Sequence, residues 1–132
     1  MKLLIICIAF ITSLSFSYGQ TAKISWLEGN WKGEGYQPLS TGQKNWTIDL
    51  KYSTAENTYI ISYPTFPCGG YWEMVKSDDQ SAEFIERITN GTDKCANNLK
   101  VVVERKGKKK IKVSFIQPES GFVDATGVLK RR

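Results

Sequence analysis

Apolar and polar residues alternate along most of the chain, and no helical repeat persists for about eleven residues. The clearest alternation is Asn45–Tyr52, in which every second side chain is apolar. A period of two is typical of a strand with one buried face. Eight stretches of this kind predict strands: Trp31–Gln37, Asn45–Tyr52, Thr58–Pro64, Gly70–Lys76, Ala82–Thr89, Leu99–Val103, Ile111–Phe115 and Val123–Leu129.

The connections between these strands fall into two alternating sets. Residues 53–57, 77–80 and 106–109 predict short hairpins, whereas residues 38–42, 65–69, 90–97 and 118–121 are loops that contain Pro, Gly or Asn. Eight strands joined in this way favour an all-β fold, an eight-stranded antiparallel up-and-down β-barrel, because closure removes both sheet edges. A sandwich or an incomplete barrel is the alternative, since closure cannot be read from the pattern.

The first nineteen residues have the features of an export signal. Lys2 precedes the apolar run Leu3–Phe10, and Ser17 and Gly19 are small residues before a cut at Gln20. The apolar run is shorter than the ~20 residues that span a bilayer, which argues against an uncleaved anchor. We therefore expect a signal peptide over residues 1–19, a single domain over residues 20–132, and a periplasmic or extracellular protein with no membrane span after cleavage.

Two cysteines remain once Cys7 leaves with the signal. Cys68 and Cys95 form an even pair in an exported chain, which is most simply one disulfide. In a meander, both cysteines fall in connections at the same end of the barrel. With no His in the chain, two Cys make a metal site improbable, and we expect neither a metal nor a cofactor.

Composition describes an ordinary folded protein with a basic segment. The chain has 132 residues, 41% hydrophobic and 23% charged, with a net charge of +5. The excess positive charge lies after Lys100, above all in the hairpin residues Arg105, Lys106, Lys108, Lys109, Lys110 and Lys112. This hairpin is either a solvated tip or a surface for an anionic partner. It has no interleaved aromatic residues, so we do not expect nucleic-acid binding.

Glu86 is the acidic residue that stands out. It shares the predicted inward face with Phe84 and Ile88, and a buried carboxylate needs a partner or a proton. It either ties strands together, recognises a ligand or acts as a catalytic acid. Glu73 is the nearest second carboxylate, and the register that turns Trp72 inward turns Glu73 outward. The inward aromatic rings either fill the core or line a cavity.

Two resemblances refine this picture. The segment Leu27–Gly33 carries Gly29-x-Trp31 at the head of the first strand, which resembles the opening of lipocalins and also looks like avidins and fatty-acid-binding proteins. In lipocalins a basic residue of the last strand often packs over this Trp, which implies Lys130 or Arg131 here. A second motif is Tyr63-Pro64-x-x-x-Cys68-x-Gly70, followed by Phe84-x-Glu86-x-Ile88-x-x-Gly91-x-x-x-Cys95. It looks like a pattern in small exported bacterial domains, which supports the fold and the disulfide only.

The sequence therefore leads to two functional hypotheses. In the first, a non-catalytic barrel binds a small molecule at its open end through Trp46, Tyr63, Trp72 and Glu86. In the second, a solid barrel acts on an extracellular protein, for example as an enzyme inhibitor, through its mouth loops or its basic hairpin. A third hypothesis, a hydrolase or isomerase, rests on Glu86 alone.

Overall fold

The computed structural model describes residues 23–132, which form one closed antiparallel barrel. The eight strands pair in chain order, and the last pairs with the first. They are β1 Gly29–Tyr36, β2 Asn45–Ser53, β3 Thr58–Tyr63, β4 Cys68–Ser77, β5 Ser81–Asn90, β6 Lys100–Arg105, β7 Lys110–Ile116 and β8 Val123–Arg131. The expected signal peptide, Met1–Gly19, lies outside the described residues.

The predicted up-and-down barrel is confirmed. The alternatives, a sandwich and an incomplete barrel, are excluded because Trp31–Tyr36 of β1 pair with Thr126–Arg131 of β8. Strand ends differ slightly from the sequence prediction: β1 starts at Gly29, which pairs with Tyr52, and Leu99 precedes β6. Cys68 was expected in a loop but is the first residue of β4, because its backbone pairs with that of Tyr63.

Alternation of side chains builds the core. On β2, β3 and β5 every second residue is buried, and the exposed or half-buried residues between them are mostly polar. In the half of the barrel near the short hairpins, aromatic rings fill the interior: Tyr52 and Tyr59 stack with centroids 4.2 Å apart, and Tyr59 packs on Phe84 at 4.8 Å. These stacked rings form the packed part of the core.

The first and last parts of the described chain meet at this closed end of the barrel. A 3-10 turn, Ser25–Leu27, lies over it with Leu27 fully buried. The Arg131 guanidinium lies 4.5 Å from the Trp31 ring centroid and donates hydrogen bonds to the backbone carbonyls of Trp26, at 2.8 Å, and of Glu28. Of the two basic residues that the lipocalin resemblance implied, Arg131 is therefore the one that covers Trp31.

A disulfide joins Cys68 to Cys95 at the opposite, open end, as the cysteine pair predicted. It links the start of β4 to the loop 91–99 between β5 and β6. Gly91 makes the close approach possible: its φ is +62°, and a Cβ there would lie 2.9 Å from the Cα of Cys68. Within residues 23–132, no helix is long and apolar enough to cross a membrane.

Candidate functional site: a cavity at the open end of the barrel

A cavity of about 300 Å³ opens at the end of the barrel that carries the disulfide. Its floor and walls come from side chains of five strands: Trp46 on β2, Tyr63 on β3, Glu86 on β5, Phe115 on β7 and Ala125 on β8. The sequence left open whether the inward rings fill the core or line a cavity. In the structure the rings near the closed end fill the core, and those near the open end line this cavity.

The rim of the cavity is built from loops. Gln37 and Ser40 come from the loop 37–44, and Phe66 comes from the loop 64–67. Lys94 and Cys95 lie in the loop 91–99, so the disulfide holds this part of the rim directly. The rim therefore depends on a covalent bond as well as on strand pairing.

Glu86 lies at the base of the cavity and is only 2% exposed. Its partners come from two neighbouring strands: the Trp72 indole donates to Oε2 at 2.9 Å, and the Tyr63 hydroxyl donates to the same oxygen. Trp72 is the direct cross-strand neighbour of Glu86, and Tyr63 reaches it from β3 across β4. Two neutral donors thus hold one carboxylate oxygen.

Burial decides the protonation behaviour of this group. Loss of hydration raises the pKa of Glu86 above its ordinary value of 4.5, and the hydrogen bonds from Tyr63 and Trp72 act in the opposite direction. Burial also raises the pKa of Tyr63 well above 10, and the nearby Glu86 carboxylate adds to this effect. Tyr63 therefore stays a neutral hydrogen-bond donor.

Trp46 forms the main aromatic wall. Its ring meets Tyr63 at 5.3 Å and Phe115 at 5.4 Å, both edge to face, and Phe66 at 6.2 Å. Gly35 makes room for it: a Cβ at Gly35 would lie 2.6–2.7 Å from three carbons of the Trp46 ring. The Trp46 indole N–H is buried and has no hydrogen-bond partner in the described part of the chain.

The four residues predicted to bind a ligand cluster together but do not all reach the cavity. Trp46, Tyr63 and Glu86 line it, whereas Trp72 lies behind Glu86, 2% exposed, and orients the carboxylate. Phe115, an inward aromatic residue of the predicted strand Ile111–Phe115, also lines the cavity.

Sequence reasoning did not single out the rim residues. Phe66, Lys94, Leu99 and Asp124 lie in loops or at strand ends, where no alternation shows which way a side chain points. The Cys95 position was the available signal for the loop 91–99, because a residue held by a disulfide fixes its neighbours at the mouth.

The remaining predicted residues lie away from the cavity. Gly29 and Trp31 are at the closed end, where the Trp31 indole donates to the Leu27 carbonyl at 3.0 Å. The basic residues are on the β6–β7 hairpin at the same end: Arg105, Lys106, Lys108, Lys109, Lys110 and Lys112. The basic hairpin and the cavity are therefore at opposite ends of the barrel.

Residues 23–132 contain no group of three or more His, Cys, Asp or Glu side chains placed to hold a metal ion. Glu73, the second carboxylate considered for acid–base chemistry, is exposed on the outer surface and forms an ion pair with Arg87 at 3.0 Å. What the cavity offers is a buried carboxylate among aromatic rings. Comparison of the chain with protein-family models, with curated proteins and with solved structures finds no match.

Proposed function

We propose that this protein is an exported, non-catalytic β-barrel that binds a small organic molecule in the cavity at its open end. The observation that carries the proposal is the cavity of about 300 Å³ itself, at the lower end of the range for ligand sites. Aromatic walls supply apolar contact and Glu86 supplies one oriented polar group, a combination typical of ligand pockets. The lipocalin-like opening Gly29-x-Trp31 supports the same interpretation.

Export rests on two features of the chain. The apolar stretch Leu3–Phe10 with small residues before Gln20 has the pattern of a cleaved signal. The disulfide between Cys68 and Cys95 is the kind of bond that persists in an oxidising compartment. A binding role is favoured over catalysis because, among the described residues, the other carboxylate that lines the cavity is Asp124 at the rim. It accepts a hydrogen bond from Gln117, and no hydrogen bond joins it to Glu86.

The test is native mass spectrometry of the protein purified from its natural source. We expect an additional mass of a few hundred daltons that is lost on denaturation. Ala96→Trp places a large side chain at the cavity mouth and is expected to abolish the additional mass, whereas Ala55→Trp in the β2–β3 turn retains it. The same adduct on both variants would place the ligand elsewhere and contradict the proposal.

A second candidate function is binding of an acidic protein partner by the closed end. Lys110, Lys130 and Lys32 are direct cross-strand neighbours on the outer surface of β7, β8 and β1. Like charges in this position are unfavourable, and a negatively charged partner would offset that cost. Lys32 is 3.8 Å from Asp49, but within the described residues neither Lys110 nor Lys130 forms an ion pair.

Charge reversal in the basic hairpin tests binding of an acidic partner separately from ligand binding in the cavity. Replacing Lys108, Lys109 and Lys110 with Glu is expected to abolish salt-sensitive retention on immobilised polyglutamate. The control is an equal change of net charge at Lys44, Lys94 and Lys100, which lie at the open end of the barrel. Equal loss of retention in both triple variants would show only a dependence on net charge and would exclude a specific basic surface.

A further inference from the structure

The interior of the barrel contains one potential charge and no counterion. Among residues 23–132, Glu86 is the only acidic or basic side chain that is buried. It takes part in none of the four ion pairs, all of which join more exposed groups. An ionised carboxylate without a cation is unfavourable in such a place, even with two neutral donors.

One oxygen of Glu86 is available to a ligand. Both protein hydrogen bonds end on Oε2, and none ends on Oε1. Within the described residues, the side-chain atoms that are fully buried and unpaired are Trp46 Nε1 and Tyr59 Oη. Since Glu86 lines the cavity and Oε1 is not among these sealed atoms, Oε1 is accessible from the cavity.

The surroundings of this oxygen also favour a positive charge. The rings of Trp46, Tyr63, Phe66 and Phe115 line the cavity, and the faces of aromatic rings attract cations. The rim carries one positively charged residue, Lys94, and one negatively charged residue, Asp124, so its net charge is zero. The charge that distinguishes the base of the cavity is therefore the negative one of Glu86.

We propose that the cavity binds a small organic amine, with its ammonium group at Glu86 Oε1 and its apolar part against Trp46 and Phe115. This inference rests on the proposed function and specifies the ligand class. The amine supplies the cation that the interior lacks, through a charge-assisted hydrogen bond. The cavity volume of about 300 Å³ suits a ligand of one ring and a short chain.

Two probes that differ in one group test the inference. Phenethylamine and 2-phenylethanol share their ring and chain, and only the first carries an ammonium group at neutral pH. Isothermal titration calorimetry on the wild-type protein is expected to show that the amine binds at least about tenfold more tightly. Equal affinities, or tighter binding of the alcohol, would overturn the amine class.

The Glu86→Gln variant tests whether Glu86 is the group that causes the preference for the amine over the alcohol. Gln keeps the size of the side chain and an oxygen for Tyr63 and Trp72, but it has no charge. We expect the preference for the amine to disappear in this variant and to persist in Glu73→Gln, which changes an exposed carboxylate on the neighbouring strand. A preference that persists in Glu86→Gln would overturn the assignment to Glu86.

The outcomes separate the amine class from the proposed function. If the native adduct is sensitive to Ala96→Trp and phenethylamine does not bind, the amine class is wrong and the cavity function stands. If there is no adduct and neither probe binds, both are wrong. Should Glu86→Gln fail to fold, the ratio of amine to alcohol affinity in the wild-type protein decides the question by itself.

Discussion

At the scale of single residues, Glu86 is the polar group on which the proposed ligand recognition depends. Its inward position was predictable from the alternation along β5, because one polar residue stood among apolar ones on the same face. Its partners were not predictable in the same way. Tyr63 reaches Glu86 across β4, and contact between strands that are not adjacent depends on the curvature of the closed barrel.

The raised pKa of Glu86 predicts a pH dependence of stability. The folded protein holds this proton more tightly than the unfolded chain, so the contribution of Glu86 is fully present below about pH 4.5 and is lost as the pH rises through the folded-state pKa. Glu86→Gln lacks this titration. We therefore expect the free energy of unfolding of the wild type, relative to Glu86→Gln, to fall with rising pH, by about 1.4 kcal/mol per unit of pKa difference.

Urea unfolding at a series of pH values measures this difference. Glu73→Gln is the control, because its exposed ion pair with Arg87 contributes little to stability. A wild-type minus Glu86→Gln difference that stays constant across the range would contradict the raised pKa.

At the scale of elements, the residue ranges of the strands were easier to predict than the side-chain contacts between paired strands. Apolar alternation identified all eight strands, and turn residues identified their connections. Strand β1 has a weak apolar alternation, because Gly33 and Gly35 replace two side chains on its inward face. The structure supplies the reason for Gly35: its partner on β2 is Trp46, whose ring occupies the space of the missing Cβ.

Gly35→Ala tests this relation between β1 and β2. The new methyl group overlaps the Trp46 ring, and the ring cannot move without disturbing Tyr63 and Phe115. We expect a loss of about 1–3 kcal/mol in the free energy of unfolding and a change in near-ultraviolet circular dichroism. Gly42→Ala is the control, since a Cβ there meets nothing within 4 Å. Equal stability of the two variants would contradict a packing role for Gly35.

The disulfide links the first residue of β4 to the loop 91–99, which forms part of the cavity rim. Replacing both Cys68 and Cys95 with Ala removes a cross-link that closes a loop of 27 residues. The chain-entropy relation gives a loss of about 3.5 kcal/mol, measured by denaturant unfolding. Because the loop 91–99 carries Lys94 and Cys95 on the cavity rim, we also expect weaker retention of the native adduct. Unchanged retention would show that the rim is held by other contacts.

At the scale of the whole molecule, the barrel has two chemically different ends. The closed end has a packed aromatic interior, the meeting point of the described chain ends and the basic hairpin. The open end has the cavity, the longer loops and the disulfide. The sequence predicted this polarity from the alternation of short and long connections, but the depth of the cavity depends on how far each ring extends into the interior.

Arg131 stabilises the closed end as a whole. It covers the Trp31 ring and bonds to carbonyls of the N-terminal segment, and these contacts join the first and last parts of the barrel. We expect Arg131→Ala to lower the free energy of unfolding by about 2 kcal/mol or more. Arg132→Ala is the control because its side chain is exposed. Similar unfolding curves for the two variants would contradict this role.

The two ends of the described chain, residues 23–132, meet at the closed end, and this has a practical consequence. Ile24 and Arg132 are both fixed there, by a hydrogen bond from the Ile24 N–H to the Tyr52 hydroxyl and by one from the Arg132 N–H to the Asn30 carbonyl. A tether attached to either end would leave the mouth facing away from the point of attachment. Under the proposed function, a barrel immobilised in this way on a sensor chip or joined to a cell envelope would exchange its ligand directly with the surrounding medium.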